Sequence, residues 1–365
     1  MRGMTFTLLV GAAWLAAPAV AAAQVKITGG GEYKDRKGIH VRAYSTFPSL
    51  VRLAEGTLLC YDMASRDGGR TWSRHRDFGF PLSDATRPRR GSITTLKDGT
   101  VLLVGRYTQR HERDPGVYVA EIYRSRNHFA GYTGPKRALI HIPNVAAGTD
   151  EYGMPVAGPF LEQTIIEHPN GDLLACMWGW FEGDQTPSDY PDRWEKWQLK
   201  KSRTLLIRSR DRGDTWHYVA TIAADPDAGP EGFRLPSLGL LPDGQLLCLM
   251  RNGDGAMPLW LSRSQGDYVR WEKPQKLDAP AVHGQLLVLS DGTVLLVYGK
   301  PLYVMASSDG GRSWDTKHKM NIGTRTGQAF IGRASLAEVS PGKVVCVYND
   351  VLDLHARVLT VIKSE

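Results

Sequence analysis

Ser307-Ser308-Asp309-Gly310-Gly311-Arg312-Ser313-Trp314 decides how this chain is read, because it recurs. Ser65-Arg66-Asp67-Gly68-Gly69-Arg70-Thr71-Trp72 and Ser209-Arg210-Asp211-Arg212-Gly213-Asp214-Thr215-Trp216 fill the same four fixed positions of the pattern S-x-D-x-G-x-x-W. The chemistry is that of a tight turn. The Asp carboxylate accepts from nearby backbone amides, the Gly supplies a positive φ, and the Trp packs the turn against its neighbour. Two degenerate copies fall between the full ones: Ser125-Arg126-Asn127 ahead of Gly131, and Ser262-Arg263-Ser264-Gln265-Gly266 with Trp271 two places late.

A second repeat supplies a register. Each unit holds an apolar strand, a turn ending in glycine, and another apolar strand: residues 48–59 around Gly56, 92–104 around Gly99, 164–176 around Gly171, 237–250 around Gly244, 285–298 around Gly292 and 335–348 around Gly342. Together with the boxes, this pattern resembles the sialidase (neuraminidase) superfamily, whose Asp boxes sit at the turn between the third and fourth strands of propeller blades. The full boxes begin 144 and 98 residues apart, or three and two units of about 48 residues, close to the propeller-blade period. The resemblance implies an all-β, six-bladed β-propeller with Asp-box turns over residues 24–365. Five units are followed by a box. The sixth is expected to close by taking an N-terminal strand near residues 26–33, which hides the open edges.

Residues 1–23 read as a secretory signal, with Arg2 at its start, an apolar run over residues 8–20, and Ala21-Ala22-Ala23 as the cleavage site. The expectation is an exported protein, periplasmic or extracellular, with no integral membrane segment after cleavage. The formal charge of +7 in 365 residues is spread along the chain without a long basic run. That favours an anionic ligand such as an acidic glycan and argues against a dedicated nucleic-acid binder. The four cysteines, Cys60, Cys176, Cys248 and Cys346, each follow a turn glycine by four or five residues inside an apolar strand. They read as small core residues in equivalent strands; a disulfide pairing Cys60 with Cys346 or Cys176 with Cys248 is the alternative. The scattered histidines show no zinc-ligand spacing, and nothing in the sequence calls for a metal or cofactor.

In a propeller the first strand of each blade begins at the mouth of the central channel, so residues at one offset before the turn glycine form a ring. Nine residues back stand Phe47, Arg90, Glu162, Leu235, His283 and Arg333. A strand start that only sealed a core would not need two arginines, a carboxylate and an imidazole. Arg106 and Arg251, each seven residues after their glycine, and Glu231 and Arg234, just ahead of the fourth unit, are expected at the same end. Arginine forks match planar carboxylates, so their convergence points to an acidic sugar. The segment 178–201 reads as the largest insertion, with Trp178, Trp180, Phe181, Tyr190, Trp194 and Trp197 offering flat rings for stacking on sugars.

Sialidases hold the substrate carboxylate with three arginines and use a tyrosine nucleophile assisted by a glutamate, with an aspartate as acid/base, outside the two-carboxylate scheme. One arginine carries over: Asp243-Gly244-Gln245-Leu246 leading to Arg251 matches the family pattern. The others depart from it. Ser45-Thr46-Phe47-Pro48 lacks the first arginine, Leu235 stands where the glutamate belongs, and Arg333 stands where the tyrosine belongs. Three readings from different classes follow. The first is a glycoside hydrolase using Glu162 with Glu231 or Asp254 as acid and base, while Arg90, Arg106, Arg251 and Arg333 grip an acidic sugar. The second is a polysaccharide lyase with His283 or Tyr298 as base or acid. The third is a glycan-binding propeller without catalysis.

Overall fold

A computed structural model describes residues 24–29, 39–42, 48–75, 91–128, 130–143, 145–149, 155–156, 158–189, 199–253, 256–281, 283–299, 301–322, 333–350 and 353–363. Its regular structure is all β, with no helix among those residues. The expected signal segment, residues 1–23, lies outside them, as do Phe47, Arg90, Tyr190, Trp194, Trp197 and Asp254.

Each of the six apolar units is an antiparallel strand pair. Leu50–Arg52 pairs with Leu58–Cys60, Gly91–Thr95 with Val101–Gly105, and Phe160–Glu167 with Leu173–Phe181. Arg234–Leu240 pairs with Leu246–Arg251, Gly284–Val288 with Val294–Tyr298, and Ala334–Ser340 with Lys343–Asp350. The second strand of a pair is covered on both faces, which is why it is written as a continuous apolar run. Every residue of Leu246–Arg251 and of Val294–Tyr298 is buried. The connecting turns repeat as well. Gly56, Gly99, Gly171, Gly244 and Gly292 take φ between 80° and 97°, and each donates its N–H to the carbonyl three residues earlier at 2.8–2.9 Å. Only glycine enters that region without strain.

The first strands pack side by side in a closed cycle: Leu50–Arg52 against Gly91–Thr95, then Phe160–Glu167, Arg234–Leu240, Gly284–Val288, Ala334–Ser340, and back to Leu50–Arg52. Their backbones form no ladder with one another among the described residues, so edge amides need other partners. Side chains seven residues before the turn glycines supply them. Leu50 N–H donates to Ser335 Oγ at 3.0 Å, Leu286 N–H to Ser237 Oγ at 3.0 Å, and Leu336 N–H to Gln285 Oε1 at 2.8 Å. The Ser92 hydroxyl donates to the Glu162 carbonyl. Further out, the strands sort into three four-stranded sheets, one of five and one of eleven. The largest arises because Thr133–His141 runs parallel to Thr215–Ala223, from Leu139 opposite Thr215 to His141 opposite His217.

The chain ends meet in one sheet. Val25–Thr28 lies antiparallel to Asp353–Lys363, from Val25 opposite Lys363 to Thr28 opposite Thr360. This is the N-terminal closing strand expected from the sequence, although residues 30–33 fall outside the described set. All four cysteines are buried thiols in second strands.

The boxes form the expected turns. Asp309 Oδ1 accepts from the backbone N–H of Arg312 at 3.0 Å and of Ser313 at 2.9 Å, and its Oδ2 accepts from the Ser313 hydroxyl at 2.6 Å. Asp67 and Asp211 repeat these bonds to Thr71 and Thr215. Trp72 and Trp216 return their indole N–H to the carbonyls of Gly69 and Gly213. In the degenerate fourth box the carboxylate is Asp267, which accepts from Val269 and Arg270, while Trp271 donates to the Tyr268 carbonyl. The late Trp271 is thus in step with a late Asp267. Burial alone would raise the Asp67 carboxyl, but hydrogen bonds from Thr71, Ser65 and Arg70 outweigh it and bring it from 3.8 to about 2.

Replacing Asp309 by Ala should lower stability by about 2 kcal/mol, read as a lower urea midpoint; an unchanged midpoint would show that the turn holds without its carboxylate. The Asp67 pKa is depressed on folding, so its contribution is complete above pH 3.8 and is lost as pH falls towards about 2. Stability of the Asp67→Asn variant should be flatter than that of the parent across that window.

Candidate functional site

Two irregularities aim the site residues. The ladder between Phe160–Glu167 and its partner slips between Leu161 and Ile165, and that of Arg234–Leu240 slips between Arg234 and Ser237. Bulges of this kind rotate a side chain off the alternating pattern. Glu162 sits in the first, and Leu235, at φ 50°, in the second. A leucine in the left-handed region is held there at a cost in strain. Glu162, Leu235, His283 and Arg333 line one cavity. These are four of the six residues nine places before the turn glycines; Phe47 and Arg90 lie outside the described residues. Thr164, Ser237 and Gln285, seven places before, line the same cavity one step further along.

The charged side chains form one linked network. Arg106 Nη2 donates to Glu162 Oε1 at 2.7 Å, and the Trp178 indole N–H donates to the same oxygen at 2.7 Å. Among the described residues no side chain bonds Glu162 Oε2. The Trp178 ring lies 4.3 Å beneath the Arg234 guanidinium. Arg234 Nη1 in turn reaches Glu231 Oε2 at 3.1 Å, and Arg251 Nη2 reaches Glu231 Oε1 at 2.6 Å. Arg106, Glu162, Glu231, Arg234, Arg251 and Arg333 are all buried. Buried charges on this scale persist only when paired. Among the described residues four guanidiniums and two carboxylates share this region.

His283 stands among these arginines. The residue as a whole is half-buried, but its ring Nε2 is closed off from solvent and has no hydrogen-bond partner among the described residues. Burial, reinforced by Arg333, Arg251, Arg106 and Arg234, pushes its pKa well below the usual 6.5. The imidazole is therefore neutral at pH 7 and able to accept a proton.

The structure divides the residues singled out from the sequence. Glu162, His283 and Arg333 reach the cavity. Arg106, Arg251 and Glu231 stand behind it, each engaged in an ion pair. Trp178 belongs to the strand Leu173–Phe181, so the insertion begins after Phe181. It is wholly buried and stacks on Phe160 at 4.8 Å; instead of facing a sugar, its ring supports Arg234 and its N–H fixes Glu162. Trp180 is also buried in that strand, opposite Ala147. Tyr298 pairs with Gly284, the neighbour of His283, and so points to the opposite face. It packs in an apolar cluster with Leu249 and Tyr303. The role of Trp178 was missed because indole spacing in sequence does not reveal which acceptor the N–H meets. The polar residues seven places before the glycines stand at one offset in the sequence register. No group of three or more metal-ligating side chains occurs among the described residues.

An all-β ring of sheets with a charged cavity at the strand starts is the architecture of a β-propeller. Residues 151–330, just under half of the chain, match the BNR repeat-like domain. A protein of unknown function from Dyadobacter fermentans superposes with a TM-score of 0.62 at 16% identity, covering 94% of this chain and 100% of that one. A Hadza microbial sialidase superposes with a TM-score of 0.60 at 14% identity, covering 92% and 68%. An α-L-arabinanase from Penicillium chrysogenum, complexed with arabinobiose, gives 0.59 at 15% identity, covering 90% and 98%. At these identities the likeness is one of fold. A search of curated proteins returned no match.

Glu231 neutralises two buried guanidiniums, so Glu231→Gln should cost about 3 kcal/mol or more. Adding Arg251→Gln should cost less than the sum of the two single changes. A urea-unfolding double-mutant cycle measures this; strict additivity would mean that the pair contributes nothing.

Proposed function

We propose that this protein is an exported six-bladed propeller that hydrolyses glycosidic bonds in an acidic glycan at the channel mouth. The cavity where Glu162, His283 and Arg333 meet carries this reading. Support for six blades comes from the cyclic packing of six first strands. Support for an acidic sugar comes from Arg333 in the cavity wall beside Glu162 and His283, a guanidinium whose fork matches a sugar carboxylate.

The roles divide as the contacts divide. Glu162, with Oε1 held by Arg106 and Trp178, presents its other oxygen to the anomeric centre. Such fixation costs little reorganisation during reaction. His283 exchanges protons with water and the departing oxygen, while Arg333 faces the sugar carboxylate. Glu231 has both oxygens committed to arginines, and it orients Arg234 and Arg251 instead of handling protons.

One observation favours a second reading, elimination from a uronate. His283 is a neutral base beside Arg333. It could take the proton next to the sugar carboxylate and return it to the leaving oxygen, with arginine stabilising the intermediate charge. Tyr298 does not share this role, since it faces the opposite side of its sheet.

Incubation of purified protein with sialosides, uronate polysaccharides and neutral arabinans separates these readings. Hydrolysis predicts new reducing ends without unsaturated-uronate absorbance, and Glu162→Gln should lower kcat about 100-fold or more. Both signals together would establish elimination, and silence across the panel would leave binding alone. In elimination His283 acts as a base in its neutral form, so the acid limb of kcat/KM should lie below pH 6.5; in hydrolysis, where it donates to the departing oxygen, it is instead the basic limb that lies there. Arg333→Gln, by removing a neighbouring positive charge, should move that limb upward. A limb that stays in place would remove His283 from the proton transfer.

A further inference from the structure

Cys176 and Cys248 are 72 positions apart in sequence, yet their Sγ atoms approach to 3.9 Å. They lie on Leu173–Phe181 and Leu246–Arg251, the second strands of neighbouring units. Both thiols are buried, in an apolar cluster that includes Leu174, Leu206, Leu238 and Leu246. The same junction carries the charged network. Trp178 is two residues beyond Cys176 on the same strand face, and Arg251 ends the strand that holds Cys248. Facing thiols across a junction are not required by packing, since alanine or valine would fill either place as a small apolar residue.

We propose that Cys176 and Cys248 become a disulfide when the chain folds in an oxidising compartment, tying the unit of Glu162 and Trp178 to the unit of Glu231, Arg234 and Arg251. A disulfide needs an S–S distance of about 2.05 Å, reached from the observed separation by side-chain rotation and a small approach of the strands. The oxidant is a disulfide, either small or carried by a thiol–disulfide oxidoreductase. One cysteine thiolate attacks an oxidant sulfur and releases the first thiol. The second cysteine thiolate then attacks the cysteine sulfur of the mixed disulfide and releases the other. Two protein thiols are oxidised, one disulfide is reduced to two thiols, and the two protons pass to the leaving thiolates. Burial and the facing sulfur push the Cys248 thiol up, so exchange takes place before the junction closes.

The inference stands apart from the proposed catalytic activity, and its test needs no substrate. Reduced, denatured protein is refolded with oxidised glutathione, denatured again, alkylated and mapped by mass spectrometry. The expected result is two alkylated thiols out of four and one linked peptide pair containing Cys176 and Cys248. Four alkylated thiols, glutathione adducts alone, or a link through Cys60 or Cys346 would overturn the proposal. The urea midpoint of the oxidised protein should also fall when reductant is added, whereas that of Cys248→Ala should not. An equal fall in both proteins would overturn it. If the variant does not fold, the thiol count on the parent protein still decides.

Discussion

The structure depends on what happens to the backbone edges of six short strands that surround one axis. Each first strand bonds to the second strand of its own pair and turns its other edge towards a neighbouring unit, where no ladder forms. Unpaired amides in such a place would be costly. Ser237, Gln285 and Ser335 resolve this by accepting amide protons from the next strand, and Ser92 by donating to a carbonyl. The units are thereby locked at a spacing too wide for backbone pairing and close enough for one side chain. That spacing leaves a cavity, and the residues two places nearer the strand starts open into it.

Closure and charge follow from the same geometry. A ring of sheets has no free edge only if its last sheet is completed, and Val25–Thr28 does so by lying against Asp353–Lys363. Strand starts that converge on one axis bring their side chains together, so any charges there are concentrated and poorly hydrated. Arg106, Arg234 and Arg251 are tolerated because Glu162 and Glu231 pair with them and Trp178 gives one guanidinium a ring to rest on. Burial first, and the neighbouring guanidiniums after it, keep His283 neutral. The chemistry available at the mouth is thus a consequence of how the ring is packed.

Much of this was legible in the chain. The boxes were recognisable because an Asp, a Gly and a Trp at fixed offsets each answer a local need of one turn, and local needs leave local patterns. The glycine register was recognisable for the same reason, and it placed Glu162, Leu235, His283 and Arg333 at one offset before the structure placed them in one cavity. Contacts between units were not legible in this way. Trp178 looked like a sugar-stacking ring because its neighbours in sequence are aromatic and polar, whereas its partners, Glu162, Phe160 and Arg234, come from other strands. The fourth box reads as defective in sequence, whereas in the structure Asp267 carries its carboxylate.

The sequence by itself determined the all-β class, the turn chemistry, the strand pairs and the ring of polar residues at the strand starts, because each depends on residues a few places apart. Tertiary structure alone decided which charges meet. It joined Arg106 to Glu162 and Arg251 to Glu231, kept His283 neutral, turned Tyr298 away, and brought Cys176 within 3.9 Å of Cys248. The physical reason is that pairing energies and proton affinities depend on distances across neighbouring sheets and on exclusion of water, and both are set only when the ring closes.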